Sequence, residues 1–470
     1  MRKRSRVDIF DESKTPLQII VLLAWPIFLE QILTTLVTYV DTAMVGSLGA
    51  YATAAVSISN PALFLITGAV LAMGIGITAM VARNMGAGDI QMVKRVVRQA
   101  VLIIVFMGVP LCVLYGFLNR IIPQILGAGP DVIDHAAAYN LIVACGRPFA
   151  MGQMVLSSVF RGVGDTKTPL KINITANLFN IIGNYFFIYD THMVTWNLFG
   201  ASTSFMMPGL DMGVAGAALS TAISMVLGGV ASFWIIFKRP SVVQIRIKDG
   251  FKVEWPLMKQ IGRISLPSVM ERFSMQTAGM IITSTVASLG TVALAANSLY
   301  VTAESIVFMP AFAVSSAATT LTGQFLGAKQ PDKAQSFVYR ICRYSIAIFA
   351  VMGAALFIFA EPLIGMFTPD PEVIELATRC LRVVALIQPV QALAFVFAGS
   401  LRGAADTWAT LIIVAISNWA VRLSLTVICI RVMGFGLVEV CYCMCIDMVV
   451  RALLFFLRFR SGKWKTAYKA

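Results

Sequence analysis

A fixed internal repeat limits what this chain can fold into, because the first half recurs in the second half at a constant distance of 241 residues. The recurring pairs include Pro26 and Pro267, Glu30 and Glu271, Gly86 and Gly327, Pro148 and Pro389, Arg161 and Arg402, and Asn177 and Asn418. The register is lost only near 190–211, where the first half carries about 20 additional residues. A register kept over this length predicts two copies of one structural unit.

Each copy contains six apolar runs that are long enough to cross a lipid bilayer, which takes about 20 residues of helix. The composition agrees, since 58% of the 470 residues are hydrophobic and only 13% are charged, against about 25% charged residues in a soluble domain. The predicted spans lie near 17–45, 53–82, 96–118, 135–160, 168–190, 213–237, 257–287, 294–325, 340–360, 376–400, 407–430 and 434–458. The sequence therefore predicts an all-α membrane protein with twelve transmembrane helices in two pseudo-symmetric six-helix bundles.

The repeat also sets the expected domain boundaries. We expect an N-terminal bundle at 1–237, a cytoplasmic linker at 238–256, a C-terminal bundle at 257–458 and a basic cytoplasmic tail at 459–470. The insertion at 190–211 falls in a loop on the opposite, outer side, and its residues do not indicate what it covers.

The net charge of +14 is distributed as in a membrane protein rather than as in a nucleic-acid-binding protein. Lys and Arg lie in short loops on one side of the spans and at the chain ends, as in Met1 to Arg6. This pattern predicts a multi-pass protein of the cell inner membrane with both termini in the cytoplasm. The expected partners are a small-molecule substrate and the lipid bilayer, with no nucleic acid, and the chain is expected to be a monomer.

Two bundles with an even number of spans enter the membrane from the same face and are related by an axis along the membrane normal. Such halves can rock against each other around a substrate site between them, as alternating access requires. A duplication that merely builds a larger helical scaffold is the alternative. The sequence contains no Gly-x-x-x-x-Gly-Lys-Ser/Thr phosphate-binding loop, which argues against direct coupling to ATP, and no group of residues supports an enzyme.

Short motifs lie at the ends of three of the predicted spans. The first span ends in Val40–Gly46, the second is followed by Asn84–Gly88 and the fourth by Arg161–Thr166, with Leu401–Gly403 and Asp406–Thr407 in the second half. Together with the repeat, these motifs resemble the multidrug and toxic compound extrusion (MATE) family of antiporters, from about residue 16 to residue 458. The resemblance implies a V-shaped pair of six-helix bundles that exports drug-like, often cationic compounds in exchange for protons or sodium. No cofactor is then expected, and the coupling ion is a proton or sodium.

The resemblance also assigns an ion-coupling site. In the family the Asp of the first-span motif is the usual coupling carboxylate, and Asp41 occupies this position. Asn180, Asn184 and Thr221 stand where the family commonly has Asn, Asp and Thr. Because the second carboxylate is missing, less of a cation's charge would be neutralised, which favours protons over a tightly bound sodium ion.

Two further positions bear on the branch of the family. One branch, the NorM-like, places acids later in the seventh span and in the tenth, where this chain has Met275 and Gln391. The chain therefore resembles the DinF-like branch more than the NorM-like branch. These residues identify neither the transported compounds nor the coupling ion.

Acids within the spans are the residues best suited to charge chemistry, since a charge at the bilayer centre is costly and usually functional. Asp41 could take up and release a proton if it is exposed alternately to the two sides, and a carboxylate merely satisfied by its neighbours is the alternative. Glu30 and Glu271 each lie four residues after a proline, so a helix-end or hinge role competes with substrate binding. Glu304 is the third candidate for binding a cationic substrate, against a structural pairing.

Two other functions stay open on the sequence alone. A flippase for lipid-linked sugars would need several Arg in the cavity to hold a diphosphate, and few central Arg are evident. A channel or receptor would show no uphill transport after reconstitution into liposomes.

Overall fold

The computed structural model describes residues 6–198 and 201–467, and this part of the chain forms twelve long helical segments. Those of the first half are α1 (Pro16–Gly46), α2 (Ala50–Gly86), α3 (Ile90–Phe117), α4 (Pro130–Gly162), α5 (Lys167–Ile188) and α6 (Gly213–Lys238). Those of the second half are α7 (Trp255–Ala287), α8 (Thr291–Gly327), α9 (Pro331–Ile358), α10 (Pro371–Gly403), α11 (Thr407–Val432) and α12 (Leu437–Arg460). The chain ends 1–5 and 468–470, which the sequence assigns to the cytoplasm, lie outside the described residues.

Hydropathy separates these helices into two groups. Within the described ranges, ten are both long and apolar enough to cross a membrane. The other two, α5 and α7, have the length to cross but are more polar, α5 because it carries four asparagines. The predicted all-α architecture of twelve membrane helices is confirmed.

Helix α1 shows how local sequence positions the first span. Thr15 and Gln18 form a reciprocal cap, in which each side chain accepts from the other residue's backbone N–H, at 3.3 and 2.9 Å. Pro26 then removes a backbone donor from the helix interior. The carbonyl of Leu22, four residues earlier, accepts instead from the hydroxyl of Thr166 at 3.4 Å. The loop after α4 therefore supports α1 where its own hydrogen bonding is interrupted.

The insertion near 190–211 forms a β-hairpin, to which the sequence-based interpretation assigned no structure. Strands β1 (His192–Leu198) and β2 (Ala201–Met207) pair antiparallel, with His192 opposite Met207. Residues 199–200 lie outside the described part. The hairpin is tied to α5 by the backbone bond from Leu210 to Phe186 at 3.0 Å.

The linker predicted at 238–256 packs against the start of α3. The Gln99 side chain donates to the carbonyl of Lys252 at 3.0 Å and accepts from the N–H of Glu254 at 3.2 Å. Arg95 forms an ion pair with Glu254, and this hydrogen bond lowers the pKa of the Glu254 carboxyl below its usual value. These contacts fix the linker to the first half.

The two halves meet at one end of the molecule, here called the terminal end because both described chain ends lie there. One buried cluster joins Leu23 of α1 to Leu321 of α8, and another joins Val81 of α2 to Ile261 of α7. Toward the opposite end, here called the open end, the buried clusters of the described residues each belong to a single half. The halves are therefore packed together at the terminal end and separate toward the open end, which is a V shape.

The segment before α1 contributes to this closure. The N–H of Val7 donates to the carbonyl of Gly164 in the first half at 2.9 Å. Three residues later, the ring of Phe10 packs edge-on against Phe325 of the second half, with centroids 5.5 Å apart. The segment thus bridges both halves at the terminal end.

Candidate ion-coupling site

Asp41 lies near the open end of α1, where polar residues of α5 and α6 face it. The amide nitrogen of Asn184 donates to Asp41 Oδ1 at 2.5 Å. The Asn180 amide is oriented with its nitrogen toward the same carboxylate, at 2.8 Å from Oδ1 and 3.2 Å from Oδ2, because the reverse orientation would set two acceptors against each other. Thr221 lies 3.4 Å from the other end of this amide. The structure therefore brings together the four residues predicted for ion coupling; their role stays a prediction.

The carboxylate of Asp41 is held by neutral donors rather than by a cation. In residues 6–198 and 201–467, no Lys, Arg or His forms an ion pair with it. Asn180 and Asn184 are 3% and 1% exposed, whereas Asp41 is only partly buried. The carboxylate can therefore exchange a proton without breaking an ion pair.

Close packing between α5 and α6 fixes the two amides. Ser220 of α6 donates to the backbone carbonyl of Asn180 at 2.8 Å. A Cβ at Gly183 would lie 2.6 Å from the Ser220 hydroxyl, so a larger residue there would displace this hydroxyl from its position. Sequence reasoning missed both residues, although small residues spaced along apolar helices are the usual signal of a close helix contact.

Glu30 and Glu271 form equivalent ion pairs in the two halves. Arg161 donates to both carboxylate oxygens of Glu30 at 2.9 Å. In the second half Arg402 pairs with Glu271, whose other oxygen accepts from Thr410 at 3.1 Å. Both glutamates are buried, and substrate binding by them stays a prediction beside the structural role that these pairs favour. Sequence analysis named all four charges but did not pair them, although the common offset was the available signal.

Glu304 is in the interior of the second half. It is 2% exposed, and its polar neighbours are Arg422 of α11 and the amides of Gln388 and Gln391 in α10. Its Oε1 has no hydrogen-bond partner among the described residues. Among the described residues Glu304 forms no ion pair, so the structural pairing and the substrate contact both stay predictions.

A second buried pair in the same half was missed by sequence reasoning. Arg451 binds Asp447 at 2.8 Å, and its guanidinium also donates to Ser417 at 2.9 Å and Asn418 at 3.2 Å. These four side chains join α11 to α12. The spacing of Asp447 and Arg451 by four residues on one helix was the available signal.

The chain matches the MatE family over residues 26–186 and 267–428, one stretch in each half. The probable multidrug resistance protein NorM of Thermotoga maritima is 29% identical over 447 residues, which cover 94% of this chain and 92% of the relative. Multidrug resistance protein MdtK of Yersinia enterocolitica is 27% identical over 406 residues, or 85% of each chain.

Solved structures agree with this result. An outward-facing multidrug resistance MATE family transporter of the MOP superfamily has a TM-score of 0.86 at 22% identity, over 96% of this chain and 97% of that one. A MOP superfamily transporter from Pyrococcus furiosus, described as having a binding pocket of reverse polarity, has a TM-score of 0.84 at 21% identity, over 97% and 98%. At this identity the structures show a shared fold, and the assignment to the DinF-like branch stays a prediction. Because the family match covers most of both halves, the chain belongs to the MATE family of membrane transporters.

Proposed function

We propose that this protein exports amphipathic, often cationic organic compounds in exchange for protons, by alternating access between its two halves. The observation that supports this most is the setting of Asp41: one carboxylate without an ion pair, held by two amides near the open end. The relatives named as multidrug resistance proteins support the substrate class. We place the protein in the cell inner membrane as a monomer, with the terminal end in the cytoplasm.

The composition of the site supports protons over sodium as the coupling ion. Asp41 is the one carboxylate among the four residues brought together here, and its neighbours Asn180, Asn184 and Thr221 are neutral, so less of a sodium ion's charge would be neutralised. The amide donors stabilise the ionised carboxylate, and protonation removes the charge without requiring any further ligand.

The coupling of substrate export to proton movement follows from the contacts of Asp41. A cationic substrate is attracted by the ionised Asp41, and it competes with the proton for that negative charge. Protonation removes the negative charge that holds the amides of α5 against α1 and weakens these hydrogen bonds, so the first half can repack and the substrate is bound more weakly. Binding of proton and of substrate thereby favour different states, as exchange requires.

The experiment is dye efflux from liposomes that contain the purified protein, first under a proton gradient and then under a sodium gradient. Wild type is expected to move an ethidium-type dye uphill under the proton gradient alone. Asp41→Asn keeps the size of the side chain and is expected to abolish this transport. Undiminished proton-driven efflux by Asp41→Asn contradicts the proposal, and efflux driven by sodium alone contradicts the choice of ion.

A further inference from the structure

A row of neutral polar side chains continues from Asp41 toward the terminal end, between α1 and α5. We call it the polar seam, and it consists of Thr34, Thr38, Asn173 and Asn177. On α5, Asn173 and Asn177 precede Asn180 and Asn184 at spacings that place all four on one helix face. On α1, Thr34 and Thr38 lie on the face that also carries Glu30 and Asp41.

Contacts link the two sides of the polar seam. The Asn177 amide donates to Asn173 Oδ1 at 2.5 Å. The Thr34 hydroxyl lies 3.5 Å from the same oxygen, while it donates to the carbonyl of Glu30 at 2.9 Å. Thr34 and Thr38 are exposed and Asn173 and Asn177 are half-buried, so the row is not covered along its α1 side by the described residues. The row ends at the Glu30–Arg161 pair, where α4 reaches the terminal end.

The internal repeat shows that the fold does not require these polar residues. The equivalent position of Asn177 is polar, Asn418. The other three residues of the polar seam, and the coupling residues on α1 and α5, all have non-polar equivalents in the second half. On α1, Thr34, Thr38 and Asp41 correspond to Met275, Gly279 and Ile282. On α5, Asn173, Asn180 and Asn184 correspond to Val414, Val421 and Leu425. Polar side chains within a membrane bundle are costly and are usually retained for function. The difference between the halves therefore indicates a task that only the first half performs.

We propose that the polar seam is the route by which a proton passes between Asp41 and the terminal end, which rests on the proposed proton coupling. Asn and Thr do not ionise at neutral pH, so they act by hydrogen-bonding a line of water that carries the proton. Asp41 and Glu30 are eleven residues apart, or about 16 Å at a rise of 1.5 Å per residue. About five waters at hydrogen-bond spacing bridge that length.

The proton balance along this route is simple. The proton leaves an Asp41 carboxyl oxygen, which restores the carboxylate, and moves as an excess proton from water to water. Glu30 and Arg161 remain ionised as a neutral pair, so no net charge blocks the far end of the seam. The seam thus serves the half-cycle in which the open end has closed and Asp41 must exchange with the terminal side.

The test replaces the polar seam with residues that the second half carries at the same positions, in the double variant Thr34→Met and Asn173→Val. The control is Thr175→Val on α5, whose exposed hydroxyl binds only the carbonyl of Lys171 in its own helix, at 3.0 Å. Purified full-length proteins are reconstituted with a pH-sensitive dye inside the liposomes. Substrate-driven proton movement is timed in H2O and in D2O, and substrate affinity is measured separately.

The double variant is expected to bind substrate within about twofold of wild type, because the coupling residues are untouched. Its proton movement is expected to slow about tenfold, or about 1.4 kcal/mol on the barrier, with a larger solvent isotope effect than wild type. Thr175→Val is expected to match wild type. Proton movement at the wild-type rate in the double variant overturns the proposed route. A tenfold loss of substrate affinity without a change in the solvent isotope effect also overturns it, because that result identifies the polar seam as part of the substrate-binding surface. Both results leave the proposed function standing, since that is tested separately by the efflux of Asp41→Asn and by the choice between proton and sodium gradients.

Discussion

Gly86 and Gly327, which occupy equivalent positions in the two halves, each contact the backbone of the opposite half at the terminal end. A Cβ at Gly86 would lie 1.9 Å from the carbonyl oxygen of Gln324, and a Cβ at Gly327 would lie 1.9 Å from that of Arg83. Arg83 and Gln324 are themselves equivalent in the repeat. The closed end of the V is therefore a two-fold symmetric crossing of α2 and α8 that has no room for a Cβ at either glycine.

Adding a methyl group at this crossing should hold the terminal end apart. Gly86→Ala is expected to shift the population toward the state that is open at the terminal end and to reduce efflux, because the new Cβ cannot avoid a backbone atom. Spin labels at Ser47 and Ser288, equivalent exposed residues at the open end, should report a shorter distance in the variant. Gly262→Ala in α7 is the matched control, since nothing lies within 4 Å of its added Cβ. An unchanged label distance in Gly86→Ala would show that closure does not depend on this contact.

The Glu30–Arg161 pair should be a strong stability determinant. Arg161→Met leaves the Glu30 carboxylate buried without a cation, and losing one partner of a buried pair costs about 3–5 kcal/mol. Thermal unfolding in detergent should show a clear decrease in midpoint, partly restored by adding Glu30→Gln. Arg120→Met, which breaks an exposed pair with Asp134, should leave the midpoint unchanged. Equal effects of the two Arg substitutions would contradict the structural role of the buried pair.

Restoring a second carboxylate should change the ion preference. Asn184 lies 2.5 Å from Asp41, so Asn184→Asp places two acids in contact, and these repel unless a cation or a proton lies between them. We expect the variant to gain sodium-stimulated efflux that wild type lacks. Efflux is compared under matched sodium and potassium gradients at constant pH. A variant that ignores sodium would mean that the number of carboxylates is not what selects the ion.

The sequence predicted the parts of this structure that depend on periodicity and repetition. The offset that relates Pro26 to Pro267 predicted twelve helices in two bundles, since apolar runs of spanning length have few other solutions. The resemblance to a family predicted that Asn180, Asn184 and Thr221 lie around Asp41. The spacing of these four residues along the sequence does not by itself indicate that they are close together. The partner of Glu30 was not predicted, because Arg161 lies 131 residues away and only packing of α1 against the end of α4 brings them together. The hairpin was missed because the helical pattern on both sides carries the stronger signal.

The central claim is that substrate and proton compete through Asp41, and proton release on substrate binding tests it most directly. Purified protein in weakly buffered detergent solution is mixed with saturating substrate while the pH is recorded. The account predicts that wild type releases up to one proton for each substrate bound, most fully at pH values where free Asp41 is protonated, and that Asp41→Asn releases none while still binding substrate. Equal release by wild type and Asp41→Asn would contradict the account.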